Sequence, residues 1–76
     1  MNDYKTKDLY EAALLYADGA KLVDVEGEGK SCWFVFENRS ECERISRLYW
    51  AGEAEVKAKA YSDALRTLKD RLFANK

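Results

Sequence analysis

The chain has 76 residues, of which 47% are hydrophobic and 36% charged, with a net charge of −1 and neither proline nor histidine. That length supports one hydrophobic core and not two, and so much apolar content at so little net charge excludes a disordered chain. A pI of 5.4 argues against a protein that simply coats nucleic acid, and no run approaches the roughly 20 apolar residues that span a bilayer.

The opening stretch, Met1 to Asp8, is polar and lacks a signal-peptide core, so a cytoplasmic location is expected. Leu9, Ala13, Tyr16 and Ala17, with Tyr10 and Leu14 beside them, repeat at helical spacing and predict a helix over about 7–18. Thr6 is suited to cap its start, Asp8 to occupy its first turn, and Gly19 to end it in the left-handed conformation. Two β-type runs follow, Lys21 to Glu26 and Ser31 to Glu37, around Gly27-Glu28-Gly29-Lys30. Glu28-Gly29 at the centre of a two-residue turn pairs Val25 with Cys32 and Val23 with Phe34. One face of that hairpin gathers Val23, Val25, Cys32, Phe34 and Phe36; the other carries Leu22, Asp24, Glu26, Ser31, Trp33 and Val35.

A second helix is announced twice, by Asn38 before Glu41 and by Ser40 before Glu43, either of which can form a capping box. Cys42, Ile45, Leu48 and Tyr49 line its apolar face, and Gly52 stops it. Glu53-Ala54-Glu55-Val56 reads as a short edge strand or a plain connector. From about Ala58, the spacing of Tyr61, Ala64, Leu65, Leu68 and Leu72 predicts a third helix to the C-terminus. The order α-β-β-α-(β)-α makes a single α+β domain over 1–76, with a hairpin face covered by helices.

The residue types remove whole chemistries. Without histidine the chain lacks the commonest general base and metal ligand. Two cysteines cannot close a four-ligand zinc site, and Gly27-Glu28-Gly29 lacks the rest of a dinucleotide or phosphate loop. Cys32 and Cys42 sit in apolar patterns and read as core thiols; a bridge between them requires strand and helix to bring them face to face. The carboxylate pairs Glu41/Glu43 and Glu53/Glu55 lie on exposed segments, where nothing shifts them toward acid–base work. No enzyme, cofactor or metal is therefore expected, and binding is the expected mode of action.

Two surfaces are candidates for it. Leu22, Trp33 and Val35 are left over on the outer hairpin face, and Leu15, Trp50 and Phe73 fall outside their helical stripes. Either a helix wraps that face and buries Trp33, or Leu22, Trp33, Val35 and Trp50 contribute to an interface, most simply with a protein partner or in a homodimer. The second surface follows from charge. Residues 1–56 hold seven basic and twelve acidic residues, net −5, whereas 57–76 hold six and two, net +4. Lys59, Arg66 and Lys69 share a flank of the third helix with Phe73, a pattern open to two readings: contact with a phosphate backbone or an acidic protein, or an ordinary solvated helix face.

Five segments occur together: Tyr4 to Tyr10, Gly19 to Val25, Trp33 to Glu37, Tyr49 to Glu53 and Tyr61 to Lys69. In this the chain resembles a family of small domains from bacteria and their phages whose function is unknown. The resemblance spans nearly the whole chain. It implies a bacterial or phage setting and brings no catalytic or ligand-binding residues with it.

Overall fold

Residues 3–28 and 31–74 are described by a computed structural model. Six elements follow one another: β1 (Tyr4–Thr6), α1 (Leu9–Ala17), β2 (Leu22–Glu28), β3 (Ser31–Phe36), α2 (Arg39–Trp50) and α3 (Ala58–Ala74). The architecture is α+β, as the element pattern predicts. The strands form one antiparallel sheet in the order β1-β3-β2, so the most apolar strand is flanked on both sides.

The hairpin pairs Val25 with Phe34 and Gly27 with Cys32, two residues away from the expected register. Side chains alternate with period two, so a displacement by two leaves each on its face. Val25, Cys32, Phe34 and Phe36 are accordingly buried as predicted. Glu28 lies opposite Ser31 in the ladder instead of at the centre of the turn; Gly29 and Lys30, on which the rest of the expected turn falls, lie outside the described residues. A β-bulge between Leu22 and Asp24 changes the far end of the strand. The extra residue turns Leu22 inward opposite Phe36 and leaves Val23 facing outward, reversing the expected places of both. Beside the bulge, the Asp24 carboxylate accepts the Val25 N–H at 2.8 Å. That occupies a backbone donor of an edge strand and blunts it against further strand pairing.

β1 was not expected from the polar N-terminus. Tyr4, Lys5 and Thr6 pair with Phe36, Val35 and Phe34, placing Tyr4 and Thr6 on the core face and Lys5 on the outer one. With the strand ending at Thr6, the cap of α1 is Asp8, whose carboxylate accepts the Tyr10 and Glu11 N–H groups. Thr6 instead accepts the Asp8 N–H through its hydroxyl.

Helix α1 sits in the middle of the molecule. Glu11, Ala12, Ala13, Leu14 and Leu15 are buried in succession, because α3, α2 and β1 all contact the helix. A helix enclosed on several sides has no single apolar stripe. This is why Leu15, expected outside the stripe, is fully buried, while Tyr10 and Tyr16 from the expected stripe are exposed. Ala64 and Leu68 of α3 and Cys42 and Ile45 of α2 complete the core with the inner sheet face.

Helices α1 and α2 end alike. Gly19 and Gly52 adopt φ of 101° and 75°, and the following N–H groups reach back across six residues, Ala20 to Leu15 O at 2.9 Å and Glu53 to Leu48 O at 2.8 Å. Both are Schellman closures that need a left-handed residue. Of the two possible starts for α2, Asn38 is used; its side chain accepts the Glu41 N–H at 3.3 Å. Glu41 turns to Arg44 rather than back to the cap, so only half of the capping box forms. Residues 53–57 are a connector, with Ala54 and Val56 packed on the core.

Candidate functional site

The outer sheet face is built around β3. Val35 lies between Lys5 and Asp24, and Trp33 lies opposite Glu26. The Lys5 ammonium reaches the Glu26 carboxylate at 3.0 Å, so a salt bridge from one edge strand to the other spans the central strand. Beneath it Val35 is only 2% exposed although it stands outside the main core cluster. The Lys7 ammonium sits 4.9 Å from the centre of the Trp33 ring, a cation–π contact. Trp33 stays 38% exposed. The continuous Leu22–Trp33–Val35 patch expected from the sequence therefore does not form. Leu22 is drawn to the core by the bulge, Val35 is shielded by long polar side chains, and Trp33 remains with Val23 at the surface.

Trp50, at the C-terminal end of α2, is the other exposed indole, at 66%. Its ring meets that of Tyr49 edge-on with centroids 4.9 Å apart. Tyr49 packs against the core, so it braces the indole from one side. Nearby, the Tyr61 hydroxyl donates to the Tyr10 carbonyl at 3.4 Å and links the start of α3 to the start of α1. Burial, followed by the negative charge of Asp8, raises the Tyr49 phenol above its ordinary value; burial followed by the Tyr10 phenol raises that of Tyr61.

The basic flank of α3 is exposed, but its members differ. Lys59 pairs with Asp63 one turn on, at 3.4 Å. Arg66 and Lys69 make no salt bridge or side-chain hydrogen bond among the described residues. They line a shallow groove of about 390 Å³ with Ser62, Leu65, Asp70 and Phe73.

A buried polar cluster escaped the sequence reading. The Glu11 carboxylate is only 3% exposed and accepts two hydroxyls at 2.6 Å, Tyr4 on one oxygen and Thr6 on the other. Tyr4 also lies 3.1 Å from Ser46 Oγ. A phenol has one proton and Glu11 takes it, so Ser46 is the donor in that contact. Burial and the Glu11 hydrogen bond raise the Tyr4 phenol above its ordinary value. The cluster ties β1 to α1 and α2, and its seclusion fits anchoring rather than substrate handling. The one available signal was the alternation Tyr4-Lys5-Thr6-Lys7, a period-two pattern in β-favouring residues, too short to stand out.

Cys32 and Cys42 are both buried. Cys42 donates to the Glu37 carbonyl at 3.4 Å and borders a cleft of about 240 Å³ between the end of α1 and the start of α2. Burial, then the charges of Glu11 and Glu41, push its thiol up to about 11. It is thus protonated at neutral pH, the opposite of a nucleophilic cysteine. Among the described residues, no group of three or more acidic, histidine or cysteine side chains could hold a metal ion, and no helix is long and apolar enough to cross a membrane.

Comparison with known families gives a match over residues 1–74 to the model described as a domain of unknown function, DUF5659. The chain belongs to that family. No curated protein and no solved structure gives a significant match. In this DUF5659 domain Trp33 with its lysine, Trp50 beside Tyr49 and Phe73 in the groove along α3 are exposed to solvent.

Proposed function

We propose that this DUF5659 domain is a non-enzymatic protein-interaction module of a bacterial or phage cytoplasm, dimeric or bound to a host protein that it regulates. The observation that carries this reading is the exposure of both tryptophans, Trp33 and Trp50, at 38% and 66%. Indoles are the side chains most often found to dominate binding energy, and a small domain gains stability by burying them when no partner requires otherwise. Trp33 is also held in place by Lys7, so little side-chain freedom is lost when a partner covers it.

Sedimentation of Trp33→Glu and Trp50→Glu variants tests the proposal. Each variant keeps the circular dichroism of the parent, because its side chain lies outside the core, and at least one loses self-association or partner binding. Unfolding of both variants, or unchanged association in both, refutes it. A nucleic-acid contact through α3 is the second reading, favoured by the uncompensated Arg66 and Lys69.

A further inference from the structure

Helix α3 is attached to the domain through buried Ala64 and Leu68, with Tyr61, Leu65 and Leu72 packed on the same core, and contacts α1. Along it runs the groove lined by Ser62, Leu65, Arg66, Lys69, Asp70 and Phe73, of which Leu65 also packs on the core. From Ser62 to Phe73 the helix rises by about 16 Å, enough to lie along roughly three turns of another helix. Leu65 is half-buried and Phe73 is 66% exposed, so the groove has apolar walls open to solvent. Arg66 and Lys69 stand beside them without a carboxylate partner, unlike Lys59, which Asp63 neutralises.

The complement of two uncompensated cations beside apolar walls is a segment that is both acidic and apolar. We infer that the outer face of α3 binds an acidic amphipathic segment of a partner protein. Arg66 and Lys69 receive its carboxylates, and Leu65 and Phe73 its apolar side chains. The inference rests on the interaction-module reading above and names the chemistry of the partner. A nucleic-acid backbone fits less well. It has little use for the apolar side chain of Leu65 in the groove. Two cations also release too few counterions to hold a polyanion at physiological salt.

Fluorescence anisotropy with the full chain tests this. The probe is a labelled helical peptide of glutamate and leucine at amphipathic spacing. A lysine–leucine peptide of the same pattern and a single-stranded oligonucleotide serve as comparisons. The acidic peptide binds; Arg66→Glu with Lys69→Glu weakens it by about tenfold or more, and Phe73→Ala by a smaller factor. Binding also weakens as salt rises. Binding by the oligonucleotide at least as tight as by the acidic peptide, equal binding of the basic peptide, or no loss in the charge-reversed variant overturns the inference. A homodimer broken by the same charge reversal overturns it in favour of a second copy as the occupant. If the acidic peptide fails while Trp33→Glu or Trp50→Glu still disrupts association, only the α3 inference falls; if both variants too are without effect, the wider reading falls with it.

Discussion

Replacing Tyr4 by phenylalanine removes one hydroxyl and leaves the ring to pack. The Glu11 oxygen that accepts it at 2.6 Å then has no remaining donor among the described residues, because Thr6 serves the other oxygen. A hydrogen bond to a buried charged group contributes about 1.5–3 kcal/mol. Tyr4 itself is only half-buried, so water reaching the vacated place recovers part of that, and about 2 kcal/mol is expected. At about 2.1 cal/mol/K per residue, unfolding of a chain this size carries an entropy near 0.16 kcal/mol/K, so the loss lowers Tm by about 12 °C. Thermal denaturation followed by circular dichroism measures it. The same substitution in a Glu11→Gln background should cost about 1 kcal/mol, because the acceptor is no longer charged. A Tyr4→Phe variant that melts within about 2 °C of the parent refutes the argument that this hydroxyl holds β1 and the buried carboxylate together.

Three other outcomes are expected. Phe34, at the centre of the sheet and almost fully buried, should cost about 3–5 kcal/mol as Phe34→Ala and leave little folded protein by denaturant titration. Gly19→Ala and Gly52→Ala should each cost about 1 kcal/mol in the same assay; a Cβ at either position meets nothing within 4 Å, so the loss is the price of a left-handed alanine alone. Stability should also fall in alkali. Cys42, Tyr4, Tyr49 and Tyr61 all hold their protons more tightly when folded, so the unfolded chain releases them first as pH rises. The Cys42 contribution is whole below about pH 9 and is lost as pH climbs toward 11, and Cys42→Ser should remove that part of the decline in pH-dependent urea melts.

Local chemistry was enough to place much of this protein. Gly19 and Gly52 mark helix ends because only a left-handed residue closes the last turn, and Asn38 marks a start because its side chain can take an orphan N–H. The alternation of Cys32, Phe34 and Phe36 identified the inner sheet face even though the register differed by two, since period two is insensitive to that displacement. The missing histidine and the exposed Trp50 were legible for the same reason, since they depend on residue type and short-range pattern, whereas that pattern left Trp33 open to burial or exposure.

What tertiary structure alone decided involves residues far apart in the chain. Tyr4 meets Ser46 across 42 positions, and no local pattern marks Glu11 as a carboxylate to be buried between them. Three-residue β1 is a strand because β3 offers it a ladder and Glu11 anchors it, not because its own preference suffices. The bulge at Val23 moved Leu22 inward, and a salt bridge between two edge strands shielded Val35, leaving Trp33 as the accessible part of a predicted patch. Leu15 shows the same limit in a helix. Its periodicity is that of an outward residue, and it is buried because α1 is enclosed from more than one side. Periodicity records which neighbours an element can have; the packing of the whole chain decides which it does have.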